Sequence, residues 1–221
     1  MQLKSSFIFK IKFFEIYFLF KEEINFLNKN DFDNKINLIR ENLVYSEESN
    51  PWVTLYFDMV RFPDRRIGNY NRIVEGKGYP GVAILLIIQS RVCLVRQYRY
   101  PVGKFLWEIP RGFGESENSI SEAISELCEE TGIDPKSLSD SHVNLIDLGE
   151  AYPNSGLLST KVRIFGIISD APMPIRNQTD KEVTEVGWFP IEWVLSKISE
   201  SEITDSFTMS AILRMSLLKL L

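Results

Sequence analysis

The sequence is poor in the residues on which several kinds of chemistry depend. Of its 221 residues one is histidine, His142, and two are cysteine, Cys93 and Cys128. One histidine leaves no material for a histidine-rich metal centre or a histidine-based triad, and a lone histidine after a helix reads as a surface residue. Each cysteine lies in an apolar pattern, one in an expected strand and one in an expected helix. They read as buried free thiols rather than a disulfide, in keeping with a reducing cytoplasm. No uninterrupted apolar run reaches the roughly 18 residues that a membrane span needs. Positive charge is also short: 25 Lys and Arg against 30 Asp and Glu leave a net charge of −5. That balance argues against broad nucleic-acid binding, which requires a basic surface. A small anionic substrate would instead need a bound cation and a few local arginines.

Glycine and proline are missing from the first 45 or so residues, which are rich in Phe, Ile, Lys and Asn. Phe7 to Phe20 has the apolar character of a signal peptide, but Lys10, Lys12 and Glu15 interrupt it and no small-residue cleavage site follows. The expectation is neither secretion nor membrane insertion, but a segment that packs on the domain or on a partner subunit, with a peripheral amphipathic helix as the alternative.

From Asn50 the pattern becomes that of strands. Trp52 to Val60 is β-branched and aromatic, Pro63-Asp64 makes a turn, and Asn71 to Val74 is extended again, which predicts a hairpin. Gly81 to Ile88 is continuously apolar, as a strand buried on both faces should be. Arg91 to Arg99 follows after a polar turn at Gln89-Ser90. Further strands are expected at Lys104 to Pro110, Val143 to Leu148, Lys161 to Ile168 and Val183 to Phe189. Helices are expected from Pro190 and over Phe207 to Leu221. Mixed strands around few helices predict an α/β or α+β sandwich.

What organises the chain is Arg111 to Ile133, a glycine-containing loop running into a helix. At about 100° per residue, Glu122, Glu126, Glu129 and Glu130 share one sector of the helix, while Ile120, Ala123, Ile124 and Leu127 share the opposite one. Carboxylates three and four residues apart repel each other by a few tenths of a kcal/mol per pair. A hard divalent cation such as Mg²⁺ turns that repulsion into a ligand set and bridges naturally to substrate phosphates.

Glu126-Leu-Cys-Glu-Glu-Thr-Gly-Ile133 resembles the core of the Nudix box, G-x5-E-x7-R-E-U-x-E-E-x-G-U with U aliphatic, and Glu117 falls on the box's first glutamate. Trp107-Glu-Ile-Pro-Arg-Gly112 and Val95-Arg-Gln-Tyr-Arg99 are similar to the ADP-ribose pyrophosphatase branch of that superfamily, as are Val60-Arg-Phe-Pro-Asp64 and Asn71-Arg-Ile-Val-Glu75. The resemblance runs from about Asn50 to the C-terminus. It implies an α/β/α sandwich with a mixed sheet and a hydrolase of nucleoside diphosphate derivatives that uses Mg²⁺, or Mn²⁺ in its place. In the ADP-ribose case the products are AMP and ribose 5-phosphate. The resemblance assigns metal binding to Glu126, Glu130 and Glu129, to the backbone carbonyl of Arg111 and to Glu117 as a brace. It points to Glu182, in the acidic loop before the last strand, as general base. Arg99, Glu108 and Arg111 are substrate-binding candidates: Arg99 for phosphate, Glu108 as acceptor from ribose or adenine. Phe113 and Tyr152 are stacking candidates, and Lys161 and Arg163 weaker phosphate candidates.

Two positions depart from the box. Arg111 stands where the family has its first glycine, with Gly112 one residue too close, and Ser125 stands where the family has an arginine. An arginine there orients a box glutamate by a salt bridge that serine cannot make. This motivates an alternative reading, a nucleotide-binding module with weak chemistry. Removal of pyrophosphate from RNA ends fits the net charge poorly. The expected organisation is an extension over residues 1–48, a hairpin over 49–78 that in the related branch helps form a homodimer, and a hydrolase domain over 79–221.

Overall fold

A computed structural model describes residues 34–139, 143–174, 178 and 180–221. The expectations for Phe7 to Phe20 and for His142 lie outside the described residues. The chain divides into two compact units, one of Met1–Val44 with Tyr56–Asn71, the other of Tyr45–Leu55 with Arg72–Leu221.

In the described part of the first unit, β1 (Asn37–Arg40) runs antiparallel to the end of β3 (Asn50–Arg61), with Leu38 opposite Val60. The Asn42 amide donates to the Asp58 carboxylate at 3.2 Å and its carbonyl accepts from Phe57 at 2.8 Å. β3 turns into β4 (Ile67–Glu75) through the expected Pro63-Asp64 turn. There Phe62 and Arg66 close a backbone bond of 2.9 Å, and Asp64 accepts from the Arg66 amide at 3.0 Å. β1 and β2 (Leu43–Glu47) were not anticipated from the sequence. Their residues are exposed throughout, so no buried face imposes the alternation by which a strand is recognised.

The second unit holds a seven-stranded mixed sheet. β5 (Gly81–Ile88) lies at its centre, parallel to β10 (Val162–Ser169) and antiparallel to β6 (Arg91–Arg99). β9 (Val143–Ala151) borders β10, β11 (Val183–Pro190) borders β6, β7 (Lys104–Glu108) also pairs with β6, and the two-residue β8 (Arg111–Gly112) pairs with β5. All eight residues of β5 are buried, as its unbroken apolar run demands. Because strand side chains alternate, Ala83, Leu85 and Ile87 enter one core with α2 (Ile191–Ser199) and α3 (Ser206–Leu217). Val82, Ile84 and Leu86 enter a second core with α1 (Ser119–Thr131). The result is the predicted α/β/α sandwich with a mixed sheet. Both cysteines are free, Cys93 buried in β6 and Cys128 half-buried in α1. Among the described residues no helix is long and apolar enough to cross a membrane.

α1 begins with Asn118, whose side chain accepts from the Ser121 amide at 3.3 Å, and ends at Gly132, which takes a left-handed φ of 75°. The Gly132 amide closes the helix onto the Cys128 carbonyl at 2.9 Å. The helix presses Ala123 and Leu127 into the core. Ile120 in its first turn is exposed, contrary to expectation, while Glu130 on the charged side is buried. The buried face therefore turns toward the C-terminal half of the helix, where β8 and β5 meet it.

Candidate active site

Within the second unit, α1, β8 and the loop before β11 surround a cleft of about 630 Å³. Eight of its described lining residues are carboxylic acids and three are Arg or Lys. A diphosphate entering such a cleft meets net repulsion unless a cation is bound.

The acidic wall is held by short local contacts. Glu130 is 2% exposed and accepts from the Arg111 backbone amide at 3.3 Å. Glu126 rests on Gly112, where a Cβ would overlap its carboxylate, so the bare Cα lets the carboxylate lie against the strand. Ser125 donates its hydroxyl to Glu129 at 2.7 Å, holding by a neutral bond the carboxylate one turn further on. The Ser116 hydroxyl donates to Glu122 at 2.6 Å. Asp180 joins the wall from the loop, its amide bonded to the Glu129 carbonyl at 3.2 Å.

Crowding shows in the proton affinities. Burial, then the charges of Glu129 and Asp180, push Glu126 up to about 7. Burial, then Glu126 and Asp180, push Glu130 up to about 9, against the opposing pull of the Arg111 amide. Buried, mutually repelling oxygen donors beside a glycine cradle are the donor set that a hard divalent cation neutralises, so the residues present fit one. Among the described residues no three acidic, histidine or cysteine side chains converge closely enough to form a metal cluster.

Arg99 and Arg111 line the same cleft. Arg99, at the end of β6, pairs with Glu108, and Arg111 reaches the other oxygen of Glu108 at 3.3 Å. Glu108 is fully buried and lies behind the two arginines rather than among the cleft-lining residues, with both its oxygens engaged. It is therefore placed to orient Arg99 and Arg111, not to accept from a sugar or base. The Nε atoms of Arg99 and Arg111 and Oε1 of Gln97 are buried without a hydrogen-bond partner, and all three residues line the cleft. Gln97 donates its amide to Glu182 at 2.6 Å, which anchors that carboxylate to β6.

Of the residues singled out in the sequence, Glu126, Glu129, Glu130, Glu182, Arg99 and Arg111 are thus brought to one cleft. Glu117 is exposed, on the turn before the helix cap, and outside the lining; Glu115, two residues earlier, faces the cleft instead. Phe113 stacks on Trp52 at 5.6 Å, and both line the cleft, with Lys77 over the Trp52 ring at 5.6 Å. Tyr152 is exposed outside it. Lys161 lines the cleft and pairs with Glu150 at 2.6 Å, whereas Arg163 is engaged by Asp147 and Glu150. Sequence reasoning gave no role to Glu115, Gln97, Trp52 or Phe207, which come from four separate segments. No spacing in the chain links them.

A mixed α/β/α sandwich with a glutamate helix leaning on a glycine-bearing strand defines a recognisable class, and the chain belongs to it: residues 78–208 match the NUDIX domain, and the protein is a Nudix hydrolase. Hydrolases of this family generally use divalent metals. Among individual proteins, it is similar to an ADP-ribose pyrophosphatase of Mycobacterium tuberculosis (strain ATCC 25618 / H37Rv), 28% identical over 159 residues that cover 71% of this chain and 72% of the relative. A second ADP-ribose pyrophosphatase, from Bacillus subtilis (strain 168), is 26% identical over 163 residues, covering 72% of this chain and 83% of the relative.

Proposed function

We propose that the protein hydrolyses the diphosphate of ADP-ribose to AMP and ribose 5-phosphate with Mg²⁺, Mn²⁺ serving in its place. The observation that carries this reading is the make-up of the cleft: carboxylates crowded until burial and mutual repulsion raise the proton affinity of Glu126 and Glu130, in one cleft with Arg99 and Arg111. Both relatives named above support the choice of ADP-ribose.

Glu126 and Glu130, with Glu129 and the Arg111 carbonyl, are the groups that would hold the metal. When bound, it neutralises diphosphate oxygens and lowers the pKa of a coordinated water. The chain supplies the rest. Arg99 and Arg111 receive the diphosphate, held in direction by Glu108. Glu182, anchored by Gln97, would take a proton from the attacking water. Trp52 and Phe113 offer an aromatic platform for a base. Glu117 stays a brace of the loop into the helix. Mg²⁺-dependent release of AMP from ADP-ribose, scored against a panel of nucleotide sugars and dinucleotides, tests the proposal. Well-folded protein that turns over none of them refutes it.

One observation favours a second reading, a nucleotide sensor with weak chemistry: Glu129 is held by the Ser125 hydroxyl instead of a guanidinium. Tight binding by calorimetry, with residual activity that Ser125→Arg fails to raise and Glu130→Gln fails to abolish, would select it. We also infer a homodimer and a cytoplasmic setting, the latter consistent with two free thiols.

A further inference from the structure

Arg111 is held by more than the strand that carries it. Its guanidinium reaches Glu108 at 3.3 Å, lies 5.3 Å from the centre of the Phe207 ring, and brings Nε to 3.9 Å from Oδ1 of Asp205. Asp205 is 7% exposed and lies outside the cleft lining. Its two oxygens have separate tasks. Oδ2 caps α3 by accepting from the Thr208 amide at 2.8 Å and hydroxyl at 2.7 Å, which leaves Oδ1 to the arginine. Thr208, fully buried, accepts in turn from the Ile109 amide at 3.0 Å. The first turn of α3 therefore holds both the backbone two residues before Arg111 and the end of its side chain.

We propose that Asp205 is a positioning residue for Arg111, aiming its guanidinium at the phosphate that enters the cleft; this rests on the reading of the cleft as a diphosphate site. At 3.9 Å the carboxylate directs the cation without consuming the Nε–H, which has no acceptor of its own. Glu108 and Asp205 together balance Arg99 and Arg111, so two buried anions hold two cations in register. The charge of Asp205 taken alone has the opposite effect. Removing a carboxylate beside an anion site raises the local positive potential and tightens anion binding, whereas loss of positioning weakens it. The sign of the change separates the two.

The test is Asp205→Asn, because asparagine caps helices as well as aspartate does. With ADP-ribose and Mg²⁺ we expect KM to rise about tenfold with kcat within about threefold, and the Kd of α,β-methylene ADP-ribose by calorimetry to rise with KM. The melting temperature should stay within a few degrees of wild type. In a double-mutant cycle, Asp205→Asn should add nothing to Arg111→Ala. An unchanged or lowered KM, additive effects in the cycle, or a loss that appears only with a matching fall in melting temperature overturns the proposal. Should Asp205→Asn not fold, Asp205→Ser keeps a capping side chain and carries the same expectations. If wild type proves inactive on ADP-ribose, the cycle is read with inorganic pyrophosphate. Coupling there upholds the Asp205–Arg111 link and discards ADP-ribose as substrate; no pyrophosphate binding overturns the link as well.

Discussion

Glu130 combines burial with charge in a way that makes the metal-free protein sensitive to alkali. Its affinity for a proton is raised to about 9 and that of Glu126 to about 7, both above the ordinary carboxylate value of 4.5. A carboxylate with a raised folded-state pKa binds more protons folded than unfolded, so stability falls as pH rises between the two values. With a chelator present, the melting temperature should therefore decline from about pH 4.5 to about pH 9. Added Mg²⁺ should restore most of the loss by replacing protons with a cation. Glu130→Gln should flatten that decline while lowering kcat by roughly a thousandfold, as expected when a metal-binding group is removed. A thermal melt series across pH and steady-state kinetics check the two halves. At this scale the sequence was informative wherever chemistry follows helical spacing, since Glu126, Glu129 and Glu130 lie on one turn. It was silent on Glu115 and named Asp180 only as part of the acidic loop that carries Glu182, though both line the cleft, and it could not distinguish Glu108 as a buried orienting anion from a residue that touches ligand.

Among the elements, β8 has the largest effect for its size. Two residues long, it presents an amide to Glu130 and a bare Cα to Glu126. Gly112→Ala should displace the Glu126 carboxylate and cost activity about a hundredfold, with a melting temperature close to wild type because the side chain has cleft on its other side. Gly132→Ala should show the reverse. Its φ of 75° is costly for a residue with a Cβ, by roughly 1 kcal/mol, so stability falls while the assembled site keeps most of its turnover. Chemical denaturation and kinetics on the same two variants separate the effects. That β5 is a central strand buried on both faces was readable from its continuous apolar run. β8 was not, since a glycine after an arginine in a loop carries no strand signal, and it pairs with β5 at Val82 and Ala83, at the other end of the strand from the Ile87–Ile88 pairing with β6.

At the level of the whole molecule, assembly is the open property. Ile36, Leu38, Ile39, Leu43 and Val44 are exposed in the single chain, a concentration of apolar surface that a partner would cover. Light scattering should give a mass of two chains; a mass of one chain refutes the homodimer. The NUDIX match begins at residue 78. The compact units divide the hairpin itself, because β3 and β4 are long enough to belong to both. Sequence composition marks where a pattern changes, not where a long strand passes from one neighbourhood to another.

β5 also sets the timing of folding. Gly81 pairs in parallel with Val162, so roughly eighty intervening residues must be gathered before that side of the strand is satisfied. Until then Gly-Val-Ala-Ile-Leu-Leu-Ile-Ile, uncharged and without proline, is an open template for another chain's copy of itself. Refolding yield should therefore drop steeply with protein concentration, and a charge placed at Ser90, just beyond the strand in an exposed turn, should improve recovery without altering the folded enzyme.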